Sequence, residues 1–578
     1  MVESYIEDKL GQTAIAIDAE AMIVFGMMGL DDWLDSHVVK PCIGVRTGVP
    51  PNGVTLLSVK PERHSLYGHE RIAFFNQPCL EKTLRENLEQ YSNVKMYLGH
   101  EVVSDMTEGG DVKVKVRKCT KNVTETYLCK FFLVCEGGRS ATRKRHGFKF
   151  HGSSFKQKWL VLDTVTFDKD VKQTLRDMWY VSNRHSTMAL VPLPGDTQRF
   201  EFLLTDDTDC QKIVEIDEAA SLIRDIGVDP KKLYFKRRIV YTFHARQIEH
   251  WYDGNVVFLG DAAHCMPPFA GQGLCNGIRD AANLAWKISL AIKGNLKKSN
   301  ELLEPAQNGN LSRRLKGPSD NKPLCDRGQL LKSFERERFE DVEKMTQRSI
   351  YIGWLMMIRN PFILLLRNLL LLFCHAIGLG RRIIEKPTLQ FREGIFDASC
   401  SSSGTLFIRP QVHVTHLQKT VPLDKVLGSG FALMCYNVTP RISTVVQSTI
   451  LKPLNFTVIE VSVKKSLSPQ NCEDTCTRDE NTHRSSRHTC LCVSDVNGEL
   501  RKWFRRNGCN VAIIRPDRFV YSCGCEVNLA QMLEDLRRLL SGQRPLRTNQ
   551  MTPIKWHLLK TLTGVILLTY ILYFFLIS

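Results

Sequence analysis

Apolar and polar positions along the first part of the chain follow two different periods. "DAEAMIVFGMMGLDDWL" (Asp18–Leu34) spaces its apolar residues at the helical interval, and "CLEKTLRENLEQY" does so again directly after Pro78. Both read as helices. "DVKVKVRK" (Asp111–Lys118) alternates valine with charge and predicts a half-exposed strand, while "TETYLCKFFLVCEGG" supplies one or two more. From about 156 to 250 the pattern is mostly strands, "WLVLDTV", "STMALVPL", "RFEFLLT" and "RRIVYTFHA", with a short acidic helix near "IDEAASLIRDIG". That order predicts an antiparallel sheet inserted between two parts of an α/β domain. "NVVFLG" then reads as a buried strand ending at Gly260, and a helix follows from about Cys275 to Lys293.

Beyond Gly294 a polar Asn/Ser/Lys/Pro-rich stretch to about Arg327 has the composition of a surface insert. The long helix "LLKSFERERFEDVEKMTQRSIYIGWLMMI" leads into "PFILLLRNLLLLFC", where Arg359 and Arg367 interrupt the apolar run. This predicts a packed or interfacial helix in preference to a span. From about 400 the pattern restarts as a small α/β domain. The last eighteen residues, "TLTGVILLTYILYFFLIS", carry no charge, and Arg544, Arg547, Lys555 and Lys560 precede them. Such a stretch matches the hydrocarbon thickness of a bilayer, and basic flanks stay cytosolic. It predicts a single-pass tail anchor with the rest of the chain in the cytoplasm.

A net charge of +17 suggests an anionic partner: nucleic acid, membrane or small molecule. Neither zinc-finger spacing nor a basic-aromatic stripe supports nucleic acid. Nineteen cysteines would suit a secreted disulfide framework, but "MVESYIEDKLGQ" has no leader pattern, so reduced thiols are expected. The sequons at Asn122, Asn310, Asn437 and Asn455 then carry no sugar. The pairs Cys490/Cys492 and Cys523/Cys525 are too closely spaced for a zinc knuckle, and no metal site is expected.

The densest chemistry lies in "GDAAHCMPPFAGQGLCNGIRDAANLAWK", Gly260–Lys287. Asp261 follows a strand tip, the edge at which open α/β sheets hold ligands, and its carboxylate can accept hydrogen bonds from ligand hydroxyls. Pro267 and Pro268 stiffen the next turn. Gly271 and Gly273 lack a Cβ, so a flat ring can approach the backbone. The helix start that follows offers free N–H groups and the positive end of its dipole to an anionic ring. His264 is tempting as a base, though it reads better as a turn and packing residue. Arg199 and Glu201 in "QRFEFLL" read first as a structural pair on a strand.

This stretch resembles the third flavin motif of the group A FAD-dependent aromatic hydroxylases, and "PPFAGQG" and "RDAANLAWK" most resemble their 3-(3-hydroxyphenyl)propionate hydroxylase branch. "CEGGRSATRKRHG" is similar to the family's second motif, "FFNQPCLEKTLR" to its glutamine-bearing segment, and "WLVLDT" to the opening of its substrate sheet. "PLDKVLGSGFALM" and "RPDRFVYSCG" resemble the branch's thioredoxin-like C-terminal domain, here without Cys-x-x-Cys and so structural. The resemblance implies that Gly260, Asp261, Pro267, Gly271, Gln272, Gly273 and Asn276 surround the flavin and its ribityl chain. It places Gln77 on the same chain, and Glu136, Gly137, Ser140 and Arg143 near the diphosphate and the nicotinamide cofactor. Glu136 stands where the family usually has Asp. An ordinary solvated role for Arg143 stays open.

The implied fold is α/β with an α+β insert. Its parts are a partial FAD-binding domain (1–155), a substrate sheet (156–250), the third flavin motif (251–293), the polar insert (294–327), a helical region (328–395), the thioredoxin-like domain (396–545) and the anchor (561–578). The implied reaction uses FAD, NAD(P)H and O₂ to hydroxylate a small phenolic substrate through a flavin C4a-hydroperoxide. No catalytic side chain is identified, and a homo-oligomer is compatible.

The family normally opens with a strand, a Gly-x-Gly-x-x-Gly turn and a helix that holds the diphosphate. No such turn stands in this sequence. Thr13 falls where the family's flavin-contacting arginine stands, and roughly forty residues of βαβ unit are missing by comparison. Truncation of an active enzyme is the favoured expectation. A membrane-tethered protein that has lost FAD, or a partner supplying the unit, are the alternatives.

Overall fold

The computed structural model describes residues 1–3, 14–40, 42–49, 53–59, 66–296, 325–380, 390–438, 454, 456–462 and 490–548. Thr13, most of the polar insert, the loop at 464–488 and the anchor segment 561–578 lie outside the described residues.

The largest sheet has eight strands, in the order His264–Cys265, Tyr234–Ile248, Phe150–Val165, Thr197–Leu203, Thr187–Pro192, Met178–Ser182, Ile43–Arg46 and Thr55–Val59. All neighbours are antiparallel except Met178–Ser182 and Ile43–Arg46, which run parallel. The sheet therefore takes strands from both sides of the segment whose alternation announced it. Leu160, Leu162, Phe200 and Phe202 point to one face and are buried against Ala219 and Ile223 of the helix Ile216–Asp225. The period of two sends their neighbours to the opposite face.

Six helices position the site. Asp18 ends a short strand, Ala16–Asp18, and caps α1 (Ala19–Met27) by accepting from Ala21 N–H. Asn76 caps α2 (Gln77–Glu89), with Pro78 in its first turn, where a missing N–H costs nothing. Ser140 caps α3 (Ala141–Arg145). The long α4 (Gly273–Leu296) packs on α5 (Arg327–Met356), which Asp326 caps, and Asn360 opens α6 (Pro361–Ala376).

Two further parallel pairings lie outside the large sheet in the N-terminal part. Phe132–Val134 pairs with Val256–Phe258, and Val2–Glu3 pairs with Tyr97–Leu98. The strand expected at "DVKVKVRK" is Asp111–Lys118, with Val112, Val114 and Val116 buried and Lys113 and Lys115 exposed.

A seven-stranded mixed sheet spanning 411–524 forms the C-terminal module. Its core is continuous with the first part, since Trp286 and Leu330 cluster with Phe431, Leu433 and Leu536. Cys400 and Cys523 are joined as a disulfide with Cα atoms 6.0 Å apart. This corrects the expectation of uniformly reduced thiols: the two cysteines are 123 residues apart in sequence, so only the tertiary fold brings them together. Among the described residues no group of His, Cys, Asp or Glu could hold a metal ion, and no single helix is long and apolar enough to cross a membrane.

Candidate functional site

The turn after Val256–Phe258 is built by two glycines in the left-handed region, Gly260 (φ 54°) and Gly271 (φ 61°). Asp280, on α4, accepts the Gly260 N–H at 3.0 Å and so fixes the strand exit. Between these points Asp261 faces a cavity of about 1840 Å³. Its side chain is open to that space yet surrounded by protein. Burial raises its carboxyl above the usual range, nearby His264 opposes the shift, and Asp280 adds to it.

The cavity is larger than the roughly 300–1,000 Å³ that encloses one ligand, and two sets of elements line it. Asp261, Phe269, Gly271, Gln272 and Gly273, with Glu136–Ala141 and the first residues of the chain, form one set. Met178, Tyr180, Ala189, Val191, Glu201 and Tyr241 of the large sheet form the other. The bend carrying Phe269 is clamped between them. Tyr180 Oη donates to Phe269 O at 2.9 Å, and Ser349 Oγ of α5 donates to Pro267 O at 2.6 Å. Phe269 packs edge-on to Trp159 and Phe243. Gly353 gives it room, since a Cβ there would lie 2.4 Å from the Phe269 ring.

Several expected residues sit behind this wall and not in it. Pro267, Gly260 and Asn276 do not line the cavity, whereas Pro268, Gly271, Gln272 and Gly273 do. Asn276 is fully buried and accepts from Arg338 at 2.9 Å and from Arg279 at 3.1 Å. Gln272 accepts from Arg279 at 2.7 Å, and Arg279 reaches Asp18 at 2.7 Å. Gln77 accepts from Ala14 N–H at 2.7 Å and donates to Glu81, tying the strand before α1 to α2.

The second motif folds back on itself. Glu136 accepts from Ser140 Oγ (2.7 Å), Thr142 N–H (2.9 Å) and Thr142 Oγ1 (2.7 Å), so its carboxylate closes the start of α3. Gly137 takes φ 72° between them. Arg143 is 4% exposed, which removes the solvated reading. It donates to Gly138 O and Ala262 O and lies over the Phe150 ring at 3.9 Å, joining this motif to the Asp261 turn. Likewise Arg199 pairs with Asp163 at 2.6 Å and stands 3.9 Å from Glu201.

The sequence reading missed Tyr180, Tyr241 and Arg348 on the cavity wall. Burial lowers the Arg348 pKa, and it raises Tyr180 and Glu201, the latter despite Arg199. Tyr180 and Tyr241 lie on strands of the large sheet and Arg348 on α5, and a local pattern does not say which face of a sheet or helix borders empty space.

The isoalloxazine and ribityl end of an FAD molecule fits here. The open carboxylate, the Cβ-free bend and the start of α4 converge on one region of the cavity. Among the described residues no glycine-rich strand–helix turn is present for the diphosphate. If the bend must stay bare, Gly271→Ala is expected to lower stability by about 1–3 kcal/mol. The new Cβ would lie 2.7 Å from that of Ala16, at a backbone angle that L-residues avoid. Thermal unfolding and retained flavin would both report it.

Fold and site together define an oxidoreductase of the flavoprotein kind, and known proteins sharpen the class. The FAD binding domain family profile matches residues 1–308, and the HcaD C-terminal domain profile matches 404–539. The chain belongs to this FAD-binding family, the FAD-dependent aromatic hydroxylases, which are enzymes. The 3-(3-hydroxy-phenyl)propionate/3-hydroxycinnamic acid hydroxylase of Mycolicibacterium smegmatis is 27% identical over 553 residues, 92% of this chain and 86% of the relative. That of Burkholderia cenocepacia is 27% identical over 88% of this chain and 86% of the relative. In fold the chain is similar to the flavin-dependent monooxygenase PieE, solved with FAD and substrate (TM-score 0.71, 14% identity, 94% of each chain). It is also similar to aklavinone-11 hydroxylase with FAD and aklavinone (TM-score 0.66, 15% identity, 93% and 94%).

Proposed function

We propose that the protein is an FAD- and NAD(P)H-dependent monooxygenase that hydroxylates a phenolic substrate with O₂. The observation that carries this is the single cavity that the Asp261–Gly273 bend and the face of the large sheet both line. When bound, FAD would supply the redox chemistry, taking electrons from the nicotinamide cofactor and activating O₂. The chain's own residues do the rest. Asp261 would accept ribityl hydroxyls, and Gly271, Gln272 and Gly273 would border the ring. Pro267, Gly260, Asn276 and Gln77 would act from behind, holding the bend and the neighbouring strand. Glu136 and Gly137 would shape the rim on the nicotinamide side, with Arg143 bracing it from behind through Gly138 O and Ala262 O.

On the side of the large sheet, apolar Met178, Ala189 and Val191 exclude water, which keeps a reactive oxygen species from being wasted. Tyr241 and Glu201 would be the polar groups that orient a phenol, Tyr180 would hold the bend beside it, and Arg348 would complement an acidic side chain on it. Segment 561–578 would anchor the protein to a membrane, with the enzyme on the cytoplasmic side.

Purified protein incubated with FAD should retain flavin absorbance and oxidise NADH or NADPH faster when a phenol is added. Asp261→Ala should lower flavin retention by an order of magnitude or more, since it removes the one open carboxylate at the bend. A folded chain that stays colourless with added FAD would overturn the enzyme reading.

A further inference from the structure

Helix α6 is built like a surface helix with its polar face missing. Ile363, Leu364, Arg367, Leu371 and Cys374 form the buried stripe. Arg367 turns inward, donating to Ser182 O and Leu355 O. The outer face is apolar too. Phe362 and Phe373 are each 60% exposed, Leu365 and Leu369 are 55% exposed, and Leu366, Leu370, Leu372 and Ile377 are more than a third exposed. A contiguous patch of this kind on a soluble surface marks an interaction site.

We propose that α6, with the end of α5, is a membrane-docking surface that lies in the headgroup–acyl boundary of an anionic bilayer. Charge selects this occupant. Between Lys344 and Ile384 the sequence holds no Asp or Glu; Arg348 and Arg367 turn inward, which leaves Arg359 before the helix and Arg381 and Arg382 in the sequence after it as the basic residues flanking the apolar run. Arg359 is exposed at the start of α6, and Tyr351 is exposed on the last turns of α5 near Trp354. Basic residues at the ends of an apolar helix suit anionic headgroups, and tyrosine and tryptophan sit at the same depth. The two helices meet at 113°, so they do not make one straight span. The uncharged segment 561–578 would hold the chain at the same bilayer.

Docking has a consequence for substrate, which rests on the proposed reaction. The inner sides of these helices reach the cavity, through Ile352, Leu355 and Met356 of α5 and Leu371 of α6. One pair of helices thus separates the lipid from the cavity. The favoured substrate class is a lipophilic phenol that partitions into membranes.

The test uses the full chain in nanodiscs of phosphatidylcholine and phosphatidylserine carrying a lipid with a photoreactive acyl chain, with adducts mapped by mass spectrometry. Adducts are expected on α6 as well as on 561–578. The combined variant Phe362→Glu, Leu365→Glu, Leu369→Glu and Phe373→Glu should lose α6 adducts tenfold or more, while keeping flavin absorbance and adducts on 561–578. Adducts confined to 561–578 in the unaltered chain would overturn the docking, as would α6 protection that tracks protein concentration instead of lipid. Adducts on α6 in a chain that binds no FAD would leave docking standing and defeat the enzyme reading alone.

Discussion

Replacing Glu337 by alanine is expected to destabilise the protein by about 3–5 kcal/mol, the cost of stranding buried charge. Glu337, on α5, is fully buried and accepts five hydrogen bonds. Arg515 supplies two at 2.8 Å, Lys287 one at 2.9 Å, Asn283 one at 2.7 Å, and Ile395 N–H one at 2.8 Å. Asp517 pairs with Arg515 and accepts from the Trp286 indole at 3.1 Å. Two anions thus balance two cations where α4, α5 and the C-terminal module meet. Losing Glu337 leaves Arg515 and Lys287 with one carboxylate between them. Urea unfolding should show the loss, and a change below about 1 kcal/mol would mean that the cluster relaxes to water. Lys287→Met should cost less, because burial already holds that ammonium down to about 8. Burial alone would raise Glu337, but Arg515 and Lys287 overrule it and hold the carboxyl down to about 2. A folded-state pKa below the unfolded value of about 4.3 means the contribution is present above pH ~4.3 and lost as pH falls towards 2. The alanine variant should therefore lose part of the acid dependence in that window.

How much of this was legible in the sequence depends on whether the signal was local. Val112, Val114 and Val116 announce their strand because alternation is written into eight consecutive residues. The Gly260–Gly273 bend was legible because glycine takes left-handed backbone at the least steric cost, as Gly260 and Gly271 do here. Partners that come from distant segments were not. Arg338 lies 58 residues from Asp280, and Arg515 lies 178 from Glu337. Asn276 shows the limit of motif logic. Its place in the motif implied a flavin contact, while its side chain is spent on Arg279 and Arg338. Ile43–Arg46 joins the large sheet through a parallel pairing with a strand more than 130 residues away, which no short-range pattern encodes.

Asp280→Ala should do more than destabilise: it should release flavin. Asp280 is fully buried, and its Oδ2 accepts both the Gly260 N–H at 3.0 Å and His264 Nε2 at 2.7 Å, while Oδ1 accepts Arg338 Nε at 2.7 Å. Burial would raise this carboxyl, yet His264 and Arg338 hold it below the usual range. His264 Nδ1 has no hydrogen-bond partner among the described residues, so removing Asp280 would strand both ring nitrogens in the core. The Gly260 N–H would lose its acceptor at the residue before Asp261. The expected loss is about 3–5 kcal/mol, accompanied by weaker FAD retention because the Asp261 carboxylate loses its fixed origin. Asp341→Ala separates the two effects. Asp341 also pairs with Arg338 but makes no bond to the turn. That variant should unfold more easily while keeping its flavin, read as the thermal shift produced by added FAD. Equal flavin loss in the two variants would show that Asp280 acts only through general stability. Loss confined to Asp280→Ala would make it the residue that positions Asp261.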